Sequence, residues 1–209
     1  MKNVRVACLL GAFGLMVGCS TTSTTLRYEP VAPIKAGQEA KPVAVVGTIT
    51  DLRHEEDPRW FGAIRGGFGN PLKKLTGDVP MNESVARSLS AALEARGLLG
   101  SSDGALVRVE GSIQVLDCNY YFNRDAHAQL LLNLVDAKSG VLLYSQSQKT
   151  DNSEGGVGAG IFGDPAHLAD FMQKTLNETI DKFFADPTFM TVVTRGSMTG
   201  NTAAAGTAQ

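Results

Sequence analysis

The chain has 209 residues, a formal net charge of −2 and 43% hydrophobic residues, a composition typical of a globular protein rather than a disordered one. Lysine and arginine form no cluster, so the basic surface expected of a nucleic-acid-binding protein is missing from the sequence. Only one of the three cysteines, Cys118, lies beyond the first 20 residues, and a lone cysteine cannot form an internal disulfide.

The N-terminus has the pattern of a signal peptide. Lys2 and Arg5 precede an apolar run, residues 6–17, which is shorter than the roughly 20 residues needed to span a bilayer as a helix. Gly18 and Cys19 follow, and then a Ser/Thr tract. This order resembles the lipobox of bacterial lipoproteins, in which the chain is cut before the cysteine. The alternative is an ordinary secreted protein that is cut near Gly18.

The lipobox resemblance implies cleavage between Gly18 and Cys19, with diacylglycerol and an N-acyl chain attached to Cys19. It implies no other cofactor. Ser20 is not the aspartate of a retention signal, so we expect an outer-membrane protein that faces the periplasm. Residues 1–18 are the expected signal peptide, and residues 19–40 the expected flexible tether, with a reach of about 25 Å. One domain is expected over residues 41–190, and a disordered tail over residues 191–209.

The first half of the predicted domain contains one strand and one helix. β-branched residues from Val43 to Asp51 predict a strand that is buried on both faces. Residues 51–79 are rich in glycine and hold several aromatic residues, and we expect them to form a long functional loop. Apolar residues at helical spacing predict a helix from about Pro80 to Arg96.

Three strands and a second helix complete the predicted fold. Alternating residues predict strands over 105–116, 126–136 and 141–148, the last two joined by a tight turn at residues 137–140. Asp164 as N-cap and Pro165 in the first turn predict a helix that ends at Asp186. The expected fold is α+β, with two helices packed on one face of a four-stranded mixed sheet in the order β-α-β-β-β-α.

Three connections, residues 51–79, 117–125 and 151–163, are expected to meet at one end of this sheet. They carry the aromatic residues that the core pattern does not use: Trp60, Phe61, Phe68, Tyr120, Tyr121, Phe122 and Phe162. Grouped aromatic residues predict a partner surface, because such rings are enriched at interfaces. The alternative is that they close the end of the core. Arg53 lies at the same end, either paired with Asp51 as a structural element or bound to a ligand.

The sequence contains no recognisable catalytic or metal-binding motif. His54, His127 and His167 lie on different elements without ligand spacing, and Cys118 has no base nearby in sequence. The glycine-rich residues 155–163 lack the Gly-Lys-Ser/Thr sequence of a phosphate-binding loop. We therefore expect a protein that is not an enzyme and binds no metal; a hydrolase is the alternative.

Several short stretches resemble the YajG-like outer-membrane lipoproteins over roughly residues 43–189. They are Val45-Val46 before Asp51-Leu52-Arg53, then Phe61-Gly62, Gly67-Phe68-Gly69 and Leu93-Glu94-Ala95-Arg96-Gly97. The resemblance implies a periplasm-facing lipoprotein with a small α/β domain, similar in architecture to LpoB and to the periplasmic domain of CsgG. We expect this domain to bind another protein of the cell envelope. The alternative is a subunit of an oligomeric secretion or transport assembly, for which a homo-oligomer is one form.

Overall fold

The computed structural model describes residues 20–30, 43–155 and 163–195, which form an α+β domain. Its elements are β1 Ser20–Thr24, β2 Ala44–Asp51, β3 Trp60–Arg65, β4 Pro71–Gly77, α1 Met81–Glu94, β5 Val107–Tyr120, β6 Asn123–Asp136, β7 Leu142–Gly155, α2 Pro165–Ala185 and α3 Pro187–Arg195. The seven strands form one mixed sheet. α1 packs on β2, α2 packs on β5, β6 and β7, and α3 contacts α2.

The long strand β5 is the centre of the sheet. On one side it pairs with β6, which in turn pairs with β7, and both pairings are antiparallel. On its other side β2 and β3 lie end to end, since Ala44 is opposite Val107 and Gly62 is opposite Cys118. β4 pairs with β3, and β1 forms the edge beside β4. β5 therefore has two different partners along one edge, with a break between them.

The core lies between one face of the sheet and the helices. Alternating buried residues of β6 point toward the helical layer: Ala126, Ala128, Leu130, Leu132 and Leu134. The predicted turn at residues 137–140 is confirmed, with Gly140 at a positive φ of 74°. The predicted start of α2 is also confirmed, because the side chain of Asp164 accepts a hydrogen bond from the backbone N–H of Ala166 at 2.9 Å.

The predicted sheet of four strands with two helices is wrong. β3 and β4 lie within residues 51–79, which we expected to form a loop. The glycines at 66, 67 and 69 belong to a turn between these strands, and Gly62 has a packing role. A Cβ atom at Gly62 would lie 2.4 Å from Sγ of Cys118. These glycines permit a turn and a close contact between strands. Because glycine is also common in loops, they gave this pair of strands the composition of a loop.

Part of the expected tether is also a structural element of the domain. Ser20–Thr24 forms β1 and pairs in parallel with β4, with Ser20 opposite Lys73. Leu26 and Tyr28 are buried in the core. The sequence pattern missed β1 because main-chain hydrogen bonds hold this polar strand, whereas the prediction relied on apolar side chains. Residues 20–30 therefore belong to the domain, and the domain does not begin at residue 41.

The expected boundary at residue 190 falls inside α3. Phe189, Val192 and Val193 are buried in the core. The carboxylate of Asp186 accepts a hydrogen bond from the backbone N–H of Phe189 at 2.8 Å, and proline is well suited to the first turn that follows. The Asp186-Pro187 pair thus ends one helix and begins the next. The domain extends to at least residue 195.

A polar cluster around Arg96 holds the N-terminal segment between α1 and α2. The guanidinium of Arg96 donates to the hydroxyl of Tyr28 at 2.9 Å and to the carboxylate of Asp181 at 2.8 Å. It also lies 4.0 Å from the ring centre of Phe184, a cation–π distance. The Tyr28 hydroxyl donates to Asp181. Burial, followed by the hydrogen bond to Asp181, raises the pKa of Tyr28 to about 12.

Replacing Gly62 with alanine should destabilise the domain, because the new methyl group would overlap Sγ and the carbonyl oxygen of Cys118. Overpacking of this kind costs roughly 1–3 kcal/mol in the free energy of unfolding, measured by urea denaturation. Gly67→Ala is the matched control, since nothing lies within 4 Å of a Cβ atom there. Equal stabilities of the two variants would contradict the close contact.

Arg96→Ala should release the N-terminal segment before the rest of the domain. Hydrogen bonds to charged groups contribute about 1.5–3 kcal/mol, and the variant loses those from Arg96 to Tyr28 and to Asp181, so that only the direct bond from the Tyr28 hydroxyl to Asp181 remains. We expect faster hydrogen–deuterium exchange in residues 20–28 with little change in β5. Arg87→Ala removes only an exposed pair with Glu83 and is the control. Unchanged exchange in residues 20–28 would show that β1 is held by other contacts.

Candidate functional site

Arg53 lies at the break between β2 and β3, and its side chain is only 4% exposed. It donates to both carboxylate oxygens of Asp51, at 2.8 and 2.6 Å. It also donates to the carbonyl oxygens of Trp60 at 2.8 Å and Leu116 at 2.9 Å. Arg53 therefore satisfies backbone groups where the edge of β5 changes partner. This arrangement supports the structural alternative for Arg53 rather than a ligand role.

The electrostatics of this pair agree with its geometry. Burial alone would raise the pKa of Asp51, but the hydrogen bonds and charge of Arg53 outweigh burial and lower the pKa below its ordinary value. Asp51 therefore stays ionised and keeps Arg53 in place. The pair is fully occupied by contacts within the fold.

The predicted aromatic residues do not form one surface. Phe61 is fully buried, and Tyr120 is half-buried against the core, so both agree with the alternative that rings close the core. Trp60 lies at the start of β3, away from the end where Tyr120 lies. Phe162 and the expected lipidation site, Cys19 with Gly18, lie outside the described residues.

Two turns at one end of the sheet carry the exposed aromatic rings, and we call them the aromatic tip. They are residues 66–70, between β3 and β4, and Tyr121 with Phe122, between β5 and β6. Phe68 is 101% exposed and Phe122 is 66% exposed. The Tyr121 hydroxyl donates to the carbonyl oxygen of Gly67 at 2.8 Å, which links the two turns. The expected meeting of these two connections is thus present.

The backbone of the first turn is hydrogen-bonded internally. Gly69 donates to the carbonyl oxygen of Gly66 at 2.8 Å, and Gly66 donates to that of Asn70 at 2.9 Å. The guanidinium of Arg65 donates to the carbonyl oxygen of Gly69 at 3.1 Å. Gly69 has a φ of 78°, a conformation that glycine adopts readily. The turn is therefore a defined structure that holds Phe68 away from the domain.

The face of the sheet opposite the helices is a second candidate surface, which we call the open face. On it the side chain of Gln114 accepts hydrogen bonds from Gln129 at 2.7 Å and Ser147 at 3.3 Å. Ser145 donates to Asn133 at 2.7 Å. These side chains come from β5, β6 and β7 and form a polar network across three strands. The sequence indicated only that one face of β5 is polar; amides at alternate positions of neighbouring strands were the available signal.

The open face also contains the charged residues around His127. Nδ1 of His127 lies 2.8 Å from a carboxylate oxygen of Asp151, and Lys149 lies 2.9 Å from the other oxygen. Hydrogen bonds from Lys149 and His127 lower the pKa of Asp151. Burial raises the pKa of Asp117, which is opposite His127 in the strand register. The group combines a histidine with carboxylates, and in the part of the chain that the structure describes no hydroxyl or thiol is hydrogen-bonded to the His127 ring.

Trp60 borders a cleft of about 340 Å³ on the part of the open face that β1, β3 and β4 form. Leu75 of β4 points into the core, so its neighbours Lys74 and Thr76 point to the open face. The other residues that line the cleft are Thr21, Glu55, Glu56 and Asp57. Trp60 is half-buried there.

Cys118 is buried, and burial raises the pKa of its thiol well above the ordinary value, which disfavours the reactive thiolate. Among the described residues, no group of three or more His, Cys, Asp or Glu side chains is placed to hold a metal ion. Within the same residues, no helix is both long and apolar enough to cross a bilayer.

Comparison with known proteins gives a fold and no family. No family model matches the chain, and no curated protein matches it. The structure is similar to that of protein XCC0632 from Xanthomonas campestris, of family DUF330, with a TM-score of 0.57 and 14% identity over 82% of this chain and 96% of that one. At this identity the similarity shows a shared fold alone.

Two further structural similarities have lower TM-scores. A putative lipoprotein from Caulobacter crescentus has a TM-score of 0.41 and 14% identity, over 69% of this chain and 89% of that one. The PelC dodecamer from Paraburkholderia phytofirmans has a TM-score of 0.41 and 10% identity, over 70% and 91%. Neither similarity is close enough to support a function. The resemblance to YajG-like lipoproteins, LpoB and CsgG stays a prediction.

Arg53→Ala should remove the guanidinium from the carbonyl oxygens of Trp60 and Leu116 and from Asp51, which keeps only the backbone N–H of residue 53, and should lower the free energy of unfolding by about 3 kcal/mol. Arg59→Ala is the matched control, because Arg59 pairs with Asp57 at the same sequence spacing but with its side chain 53% exposed. An exposed pair contributes about 1 kcal/mol or less. Urea denaturation compares the two variants, and equal losses would refute the structural role of Arg53.

Proposed function

We propose that this chain is a non-catalytic lipoprotein of the bacterial outer membrane that binds another protein of the cell envelope. Lipid at Cys19 would hold it on the membrane, facing the periplasm. The order of basic start, short apolar run, Gly18, Cys19 and Ser/Thr tract supports the anchor. The absence of a hydroxyl or thiol bonded to His127 within the described residues, together with the buried thiol of Cys118, favours binding over catalysis.

The observation that carries the binding proposal is the open face. Helices cover one side of the sheet, while the other side presents a hydrogen-bonded polar network built on Gln114, Gln129 and Asn133. Side chains that are already held by hydrogen bonds lose little conformational freedom when a partner binds, so the surface is preorganised. Trp60 adds an aromatic ring of the type enriched at interfaces. A polar, half-buried surface suits a partner that is bound after both proteins have folded.

Site-specific photo-crosslinking in bacterial cells tests this proposal. A photoreactive residue replaces Gln129 on the open face or Asp170 on the exposed side of α2, in the full-length chain. We expect a discrete crosslinked product with an envelope protein from position 129 and none from position 170. The product should decrease in the Cys19→Ala variant, because loss of the lipid removes the domain from the membrane.

The mass of the product separates the two proposed roles. A product with a different envelope protein supports the binding role. A product with the mass of two copies of this chain supports the alternative, a subunit of an oligomeric assembly. No product from position 129 above the level at position 170 would refute the open face as the binding surface.

A further inference from the structure

We propose that the aromatic tip enters the lipid surface next to the anchor, with Phe68 and Phe122 as the inserted side chains. The inference rests on the proposed lipidation of Cys19 and adds a second contact with the same membrane. It specifies which end of the domain faces the lipid. The first reason is the direction of β1.

Ser20 is the first residue of β1 and lies opposite Lys73 of the parallel strand β4. Because the two strands are parallel, the chain that precedes Ser20 approaches from the same end as the chain that precedes Lys73. That end holds the turn of residues 66–70, which leads directly into β4. The anchor and the aromatic tip therefore lie at the same end of the sheet.

The connection between Cys19 and the domain has almost no slack. Cys19 is bonded to Ser20, and consecutive Cα atoms are about 3.8 Å apart. Phe68 is five residues from Lys73, and a strand advances at most about 3.4 Å per residue, so Phe68 is within roughly 20 Å of Ser20 along this path. β1 is held by β4, and Leu26 and Tyr28 are buried beyond it. A membrane that holds Cys19 therefore also lies beside the tip.

The chemistry of the tip suits a lipid surface. Phe68 and Phe122 expose apolar rings, and moving such a ring from water into an apolar layer is favourable. The N–H groups of Gly66 and Gly69 and the carbonyl oxygens of Gly66, Gly69 and Asn70 already have partners, so entry into the apolar layer leaves these backbone groups paired. Tyr121 combines a ring with a hydroxyl, as is common for residues at membrane interfaces.

The opposite end of the sheet supplies the matched comparison. Leu142, at the start of β7, is 57% exposed and thus resembles Phe122 in exposure. It lies beyond the turn of residues 137–140, at the end of the sheet away from Ser20. If exposed apolar residues alone caused membrane contact, both ends would bind lipid. The proposed lipid at Cys19 predicts instead that only the end with the aromatic tip contacts the membrane.

Tryptophan fluorescence in vesicles tests the orientation. The chain has a single tryptophan, so Trp60→Phe gives a silent background into which Phe68→Trp, Phe122→Trp or Leu142→Trp is introduced. The full-length lipidated protein is reconstituted in vesicles of phosphatidylethanolamine and phosphatidylglycerol with brominated acyl chains. We expect the emission from positions 68 and 122 to shift to shorter wavelength and to be quenched, and the emission from position 142 to be unaffected.

Mass spectrometry of the N-terminal peptide establishes lipidation in the same samples, so the two proposals fail separately. If Cys19 carries lipid and positions 68 and 122 are quenched no more than position 142, the membrane contact of the tip is refuted while the lipoprotein proposal stands. If Cys19 carries no lipid, both are overturned. Efficient photo-crosslinking of position 68 to a protein in cells, without quenching by lipid, would also refute lipid contact in favour of a protein partner.

Discussion

The attachment of the N-terminal segment to the domain is the constraint on which the other features depend. β1 adds to the edge of β4 through main-chain pairing, and Tyr28 is held by Arg96 and Asp181 between the two long helices. Without these contacts, residues 20–30 would be part of a tether, and the proposed lipid at Cys19 would leave the orientation of the domain open. With them, the residue after Cys19 is already part of the sheet. The fold thus fixes where the chain continues toward Cys19, the proposed lipidation site.

Periodicity predicted the elements whose side chains form the core, and missed those held in other ways. β5, β6 and α2 have regular apolar positions and were predicted, although both strands are longer than expected. β1 has no apolar positions, because backbone hydrogen bonds hold it at an edge. The glycine content of residues 51–79 resembles that of a loop, although in β3 and in the turn before β4 glycine serves two structural purposes. Residues 66–70 need it for a turn, and Gly62 needs it to approach Cys118.

The sequence predicted only part of the candidate site, because local patterns do not show contacts between distant strands. The connections that carry Phe68 and Tyr121 do meet, as strand directions indicated, and the Tyr121 hydroxyl joins them. Strand direction could not show that Phe61 is buried, because Phe61 lies in β3 and the sequence pattern did not predict β3. Arg53 was placed correctly beside Asp51, but its two carbonyl partners depend on the break in the edge of β5. Contacts between distant strands are absent from a reading of local pattern.

Strand direction also relates the membrane to the open face. If the aromatic tip touches lipid, β4, β5 and β6 extend away from the membrane, because the tip is formed by turns at their ends. The open face, which lies parallel to these strands, then stands upright rather than flat on the lipid. A β-strand advances about 3.3 Å per residue, so the 14 residues of β5 extend over roughly 45 Å. Gln129 and Asn133 would therefore be accessible from the side, to a partner that stands on the same membrane.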